Sequence, residues 1–383
     1  MKIPLAKPEI TEKDIAAVVA VLRSTHLSQG PVMREFEEAL AAYLNFSYAV
    51  VVNSGTSALQ LALRALDIKE GDEVILPSFS FMAVTNAVLS EKAVPVFVDI
   101  DPKTCNMTPS TLKAAVSRKT RAIAIVHSFG FPTPAAEIVE FARSHSLATI
   151  EDACESLGSE FNGRKSGTFA DIGALAFYPN KLITTGEGGA LVTDSAPLAA
   201  RLRALSNQGR QPGGNWFQHV EPGFSYRLSD ISCALGLQQL SRIEQILRHR
   251  EALARKYELR LRSNVNLTCF GTGWNHARIS WFTYPILLNE NFTRQDRDEI
   301  WGELRRLGVE TGRYFAPAHL QPALRGLHLR CGDLTHTLSI SERILCLPLF
   351  NALQDEQIEF VCGSLEHILG QSAAHRATHA AVS

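Results

Sequence analysis

The 383-residue chain reads as an α/β protein. A large domain on a mostly parallel seven-stranded sheet is expected over residues 1–250, and a smaller C-terminal α/β domain over 251–383. Three observations carry this expectation. Over residues 11–192, short apolar runs alternate with helix-period segments, the pattern of strands buried on both faces by crossover helices. A long helical stretch after Leu228, SDISCALGLQQLSRIEQILRHREALARKYELRLR, then leaves the sheet as a spine between domains. Beyond it, the alternating run SWFTYPILL (280–288), a capped helix and the apolar run ERILCLP make a smaller unit.

Taken in order, Thr11 with Asp14 forms a capping-box pair that opens a helix through Leu22. A second helix covers MREFEEALAAYL. The seven strands are YAVVV (48–52), DEVILP (72–77), VPVFVDI (94–100), RAIAIV (121–126), LATIED (147–152), ALAFY (174–178) and GALVTD (189–194). TSALQLALRAL and PAAEIVEFARSH supply helices between them, and no repeat period is visible. In the C-terminal unit, Thr293 with Asp296 opens a helix that stops at Leu307-Gly308, and a last helix covers QDEQIEFVCGSLEHIL. The small, polar tail after Gly370 is expected to fray.

Composition narrows the function classes. Thirty-eight basic against thirty-nine acidic residues create no strong field, so capture of nucleic acid or of an anionic membrane is not expected. Any anion must be held by a local site. Prolines and acids occupy the early residues, MKIPLAKPEITEKD, where a signal peptide carries its apolar core, and no run is apolar enough to span a bilayer. A cytoplasmic location follows as the expectation. The seven cysteines are scattered and never form a C-x-x-C pair, so they read as reduced thiols rather than a disulfide framework or a zinc site. Twelve histidines occur without H-E-x-x-H or similar spacing, and no metal is expected.

Ligands of open α/β sheets gather at the carboxyl ends of strands, so the residues that follow each strand are the candidates. After YAVVV comes Asn53-Ser-Gly-Thr-Ser57 and a helix. Gly55, Thr56 and Ser57 there offer a glycine turn and hydroxyls at a helix N-terminus, which suits a phosphate as well as it suits an ordinary cap. Asp152 ends LATIED, where a buried carboxylate needs a cationic partner. DEVILPSFSFMAV presents Phe79, read as core, and Phe81. Finally Lys181, two residues after a proline, precedes a Gly-Glu-Gly-Gly turn that runs into an apolar strand. A phosphate cradle, a flat aromatic, a lone aspartate and a lysine, in that set, match the needs of pyridoxal 5'-phosphate. Its aldehyde takes an amine, and its ring nitrogen takes a carboxylate that keeps it protonated.

Nearly the whole chain, from IPLAKPEIT to ERILCLPLF, resembles the DegT/DnrJ/EryC1/StrS family of pyridoxal-phosphate-dependent sugar aminotransferases, whose fold is that of fold-type I aminotransferases. The stretches that carry the resemblance are VVNSGTSALQLAL, LPSFSFMAVTNAV, EDACESLGSEFNGR, FYPNKLITTGEGGALVTD, GFSYRLSDISCALGLQQL and RYFAPAHLQ. The resemblance implies that Lys181 forms the Schiff base and moves the proton, Asp152 holds the pyridinium N–H, Phe81 stacks on the ring, and Thr56 with Ser57 binds the phosphate. It implies L-glutamate as amino donor, a keto group on a nucleotide-linked deoxysugar as acceptor, and a homodimer with shared sites.

Three positions depart from the family pattern. Glu155 stands where glutamine or another polar residue is usual beside the cofactor's phenolic oxygen, and two negative groups there repel, so Glu155 is expected to be protonated or turned away. Ala176 replaces a serine that binds phosphate in many members. Ser225 replaces an asparagine that reaches the neighbouring subunit's cofactor. Arg313, Tyr314 and His319 fall in the stretch the family places near substrate, although Arg313 reads equally as a surface ion pair. Trp216 is read as packing in a Gly-rich loop. A same-fold sugar dehydratase carries histidine in place of the lysine, and a noncatalytic relative needs no lysine–aspartate pair. An aminotransferase for a free keto-cyclitol or sugar stays open.

Overall fold

The structure, a computed structural model, describes residues 2–211, 213, 218–271 and 276–380, with side chains described up to residue 371. Its strands, in chain order, begin with β1 (Tyr48–Val52), β2 (Glu73–Pro77), β3 (Val94–Val98), β4 (Thr120–Val126) and β5 (Ala148–Asp152). There follow β6 (Glu160–Phe161), β7 (Arg164–Lys165), β8 (Ile172–Ala176), β9 (Gly189–Thr193) and β10 (Leu267–Cys269). The last are β11 (Ala277–Arg278), β12 (Tyr284–Leu288), β13 (Arg330–Cys331) and β14 (Ile344–Leu347).

The main sheet runs β1-β9-β8-β5-β4-β2-β3-β13. Pairing is parallel from β8 through β5, β4, β2 and β3 to β13, and antiparallel where β9 joins β8 and β1. All seven expected strands are in it. They are legible because β2, for example, is buried along its whole length, with Val74 and Leu76 on one face and Ile75 on the other, as period-2 geometry requires. The eighth strand, β13, is two residues long and too short for any periodicity to reveal. The ALAFY strand is displaced toward the N-terminus: β8 ends at Ala176, and the chain turns beyond it, with the Lys181 N–H donating to the Tyr178 carbonyl at 2.9 Å.

The expected spine is two helices, Asp230–Leu240 and Ile243–Leu261. Between them Arg242 has φ −116° and ψ 15°, and its guanidinium binds Glu9 Oε2 at 2.8 Å and Asp14 Oδ2 at 3.0 Å. The expected domain boundary falls inside Ile243–Leu261, whose Leu253, Tyr257 and Leu261 pack in one apolar cluster with β12, β14 and the last helix. That helix, Asp355–Ala380, continues past Gly370 instead of fraying there, consistent with the strong helix preference of the alanines in its tail. Both capping boxes form, on Thr11 with Asp14 and on Thr293 with Asp296.

The N-terminal strip is stitched to the far end of the chain. The Ile3 N–H donates to the Gly308 carbonyl at 2.8 Å, the Glu310 N–H to the Ile3 carbonyl at 2.9 Å, and the Leu349 N–H to the Leu5 carbonyl at 3.1 Å. Among the described residues, no helix is long and apolar enough to cross a membrane, and no group of three or more His, Cys, Asp or Glu side chains could hold a metal ion.

Candidate active site

The cradle forms where β1 hands over to the helix Gly55–Ala65. Ser54 is the N-cap: its Oγ accepts the Ser57 N–H at 3.0 Å and pairs with the Ser57 hydroxyl at 2.9 Å. First-turn N–H groups of a helix lack intrahelical acceptors and sit at the positive end of its dipole, so this turn is an anion seat. Glycine is required by contact, not by φ. A Cβ on Gly55 would lie 2.6 Å from the Ala176 Cβ, and one on Gly189 would lie 2.5 Å from the Ser54 carbonyl oxygen. The turn is thus pressed onto the ends of β8 and β9.

Asp152, at the end of β5, is 9% exposed. Its Oδ1 accepts the Cys154 N–H at 3.1 Å, yet among the described residues it forms no ion pair. A nearly buried carboxylate without a cation, facing a cavity, is a costly arrangement unless a ligand supplies the charge. Burial next to it pushes the Cys154 thiol well up.

Lys181 projects into the same cavity from the turn between β8 and β9, where Gly186 takes φ +82°. Its amine is 3.4 Å from Glu155 Oε1 and 4.2 Å from the ring centroid of Phe282. Glu155 is therefore not turned away. Burial pushes its carboxyl up, against the opposing pull of the Lys181 amine and of the Phe129 N–H, which donates to its Oε2 at 3.0 Å. Phe129 has φ +63°, and its carbonyl accepts the Phe282 N–H at 3.1 Å. One peptide segment thus tethers both neighbours of the amine.

Of the residues read from the sequence, Gly55, Thr56, Phe81, Asp152, Glu155, Ala176, Lys181 and Tyr314 line one cavity of about 420 Å³. Phe81 caps the helix Met82–Ser90 and is 67% exposed, whereas Phe79 is fully buried, edge-on to Phe129 and Phe315. Burial pushes the Tyr314 hydroxyl up to about 12. The others are placed elsewhere in this chain. Ser57 is buried beneath the cradle with its hydroxyl on Ser54. Ser225 is exposed and bridges to Asn207. Arg313 pairs with Asp298 at 2.9 Å and lies 4.3 Å over the Trp301 ring. His319 Nδ1 is 2.6 Å from Ser78 Oγ, and burial lowers its pKa. Trp216 lies outside the described residues.

The sequence reading missed Ser54, His127, Tyr178 and Phe282, which also line the cavity. Ser54 was signalled by its N-cap position. His127, the first residue after β4, was within reach of the strand-end rule. Its Nδ1 accepts the Thr133 N–H at 2.8 Å, which leaves Nε2–H to donate to Glu151 at 2.6 Å. Phe282 was hidden inside an expected strand. The strand begins only at Tyr284, because Trp281 takes φ +54°. Together the amine, the unpaired carboxylate, the anion seat and the aromatic walls suit a small flat ligand with a carbonyl, a protonated ring nitrogen and a phosphate.

The DegT/DnrJ/EryC1/StrS aminotransferase family model matches residues 8–366. GDP-perosamine synthase of Caulobacter vibrioides is 36% identical over 371 residues, 96% of this chain and 98% of that one. Spore coat polysaccharide biosynthesis protein SpsC of Bacillus subtilis is 33% identical over 380 residues, 96% of this chain and 97% of that one. Among solved structures, the PLP form of the putative sugar aminotransferase Spr1654 from Streptococcus pneumoniae superposes with a TM-score of 0.91 at 26% identity, covering 97% of this chain and 99% of that one.

Proposed function

Because the chain belongs to the DegT/DnrJ/EryC1/StrS aminotransferase family, and is with it a pyridoxal-phosphate-dependent sugar aminotransferase of fold-type I, we propose a specific reaction. It moves an amino group from L-glutamate to a keto group of a nucleotide-linked deoxysugar, for polysaccharide or amino-sugar biosynthesis. One observation carries the reading: the Lys181 amine and the cation-free Asp152 carboxylate face one cavity under the N-terminus of Gly55–Ala65. The relatives named above, with a perosamine synthase and a polysaccharide biosynthesis protein among them, support the acceptor class.

The residues present fit pyridoxal phosphate. Ser54, Gly55 and Thr56 would hold its phosphate, Phe81 its ring face, Asp152 its ring nitrogen and Lys181 its aldehyde carbon. When bound, the cofactor supplies an electron-accepting ring that stabilises negative charge on the substrate carbon next to nitrogen. The chain's own part is positional and protonic. Asp152 would accept a hydrogen bond from the ring nitrogen and so favour a proton there. Lys181 Nζ takes a proton from the substrate carbon and returns it, for which the amine must be neutral when it accepts. Glu155 Oε1, 3.4 Å away, is placed to exchange a proton with that amine. Ala176 offers no hydroxyl, so hydrogen bonding to the phosphate falls to Ser54, Thr56 and the helix N–H groups.

The assembly is a homodimer in this reading, working in the cytoplasm. Its support is the open mouth of the cavity, where Phe81 and Tyr178 are 67% and 51% exposed and a second copy would cover them, with the exposed Ser225 serving the partner's site. The large and small domains divide near residue 250. The test is borohydride reduction of the cofactor-loaded protein followed by peptide mass mapping. The reduced adduct is expected on Lys181, the visible band shifts on adding L-glutamate, and Lys181→Ala binds cofactor without turnover. An adduct on another lysine, or none, refutes the reading. A panel of nucleotide 4-keto and 3-keto sugars then identifies the acceptor, and sedimentation showing only active monomer refutes the shared site.

A further inference from the structure

We propose that Phe282 is a positioning residue for the Lys181 amine, its ring and the Glu155 carboxyl fixing the amine between them. The proposal rests on the reading of Lys181 given above. The amine lies 4.2 Å from the centroid of the Phe282 ring, within the distance at which an ammonium is attracted to the electron-rich face of an aromatic. Glu155 Oε1, at 3.4 Å, is a long contact for a hydrogen bond and leaves the amine latitude on its own. A lysine side chain has four rotatable carbon–carbon bonds, and confining its tip lowers the entropy cost of reaching the same carbonyl position each time.

The ring is itself held. Its residue donates its N–H to the Phe129 carbonyl at 3.1 Å, and Phe129 donates its own N–H to Glu155 Oε2 at 3.0 Å, so the two neighbours of the amine keep a fixed separation. From the helix Ile243–Leu261, the buried Arg250 grips the carbonyls of Trp281 and Phe282 with Nη1 at 3.0 and 3.2 Å, while its Nε donates to Asn351 Oδ1 at 3.1 Å. The left-handed Trp281, at φ +54°, turns the chain so that both carbonyls meet that guanidinium. Tyr314 lies against the ring, centroid to centroid 6.4 Å with the planes 21° apart. A side chain 5% exposed and anchored at both its N–H and its carbonyl is a fixed wall.

The test measures capture, not turnover. Cofactor-free protein is mixed with pyridoxal phosphate, quenched with borohydride at timed intervals, and the reduced adduct on the Lys181 peptide is quantified by mass. Phe282→Leu keeps an apolar side chain but removes the flat ring face, and is expected to slow capture about 3- to 10-fold, the range that a partial return of the lysine's rotamer freedom supports. Phe282→Tyr is expected to restore the rate to within about twofold. A melting curve for each variant separates this from loss of fold, and if Phe282→Leu does not fold, Phe282→Met decides by the same criterion. Capture by the leucine or methionine variant at the wild-type rate overturns the proposal alone. A wild-type protein with no adduct on Lys181 overturns the site reading and the proposal together.

Discussion

Replacing Gly55 with alanine places a methyl group 2.6 Å from the Ala176 Cβ and 3.1 Å from the Cys154 Sγ. Carbon atoms pack comfortably at about 3.5–4 Å, so the cradle must back away from β8 by about 1 Å. The backbone of Gly55 is already helical, and alanine in a helix is favoured over glycine by up to about 1 kcal/mol. The loss therefore comes from contact, where overpacking costs about 1–3 kcal/mol. A shift of about 1 Å moves first-turn N–H groups out of the roughly 2.9 Å range of a good hydrogen bond. Losing one bond to a charged phosphate oxygen, about 1.5–3 kcal/mol, weakens cofactor binding about 10- to 150-fold. Titration of the cofactor-free variant with pyridoxal phosphate, followed by the visible band, reads this directly. Adding Ala176→Gly removes the facing methyl and is expected to recover most of the affinity. Unchanged affinity in the single variant, or a double variant as weak as the single, refutes the argument from close approach.

Two other outcomes follow from the site. Asp152→Asn preserves volume but removes the charge that matches a protonated ring nitrogen. Cofactor is still captured at Lys181 while single-turnover amine transfer from L-glutamate slows by about 100-fold or more, and a rate within threefold of wild type contradicts the assignment. Glu155→Gln reports on burial of a carboxyl whose folded pKa is raised above its ordinary value of 4.5. Stability from such a group is fully present below that ordinary value and is lost as pH rises through the folded pKa. The melting temperature of the glutamine variant, measured without cofactor, accordingly gains on wild type as pH rises above about 4.5. A difference that stays constant with pH rules out a raised carboxyl.

What the sequence made legible was whatever leaves a local trace. The seven longer strands show because each is apolar over most of its length, and Asp152 and Lys181 show because each charge stands at the end of such a run or just beyond it. Contacts between distant segments leave no trace of that kind. Ser57 reads from the sequence as a phosphate ligand, and only the cap geometry, with the Ser57 N–H on Ser54 Oγ, puts Ser54 at the cavity and Ser57 beneath it. Phe282 alternated correctly for a strand, and its departure depends on Arg250 gripping carbonyls 31 and 32 residues away. Arg313 carried the right chemistry for a diphosphate, but Asp298 and Trp301, placed by a neighbouring helix, occupy its fork in this chain.

The stitching of Ile3 to Gly308 and Glu310, and of Leu5 to Leu349, has a bearing on how the molecule is assembled in time. A chain emerging from the ribosome exposes Ile3 and Leu5 some three hundred residues before their partners are made, so these bonds can close only after strands β1 to β9 have been synthesised. Glu9 shares Asn351 with Arg250, so the strip also reaches the guanidinium that holds the Trp281 and Phe282 carbonyls. A bulky graft that displaced the opening residues would break these bonds and slacken the hold on Asn351, at a point remote in sequence from the cavity it supports.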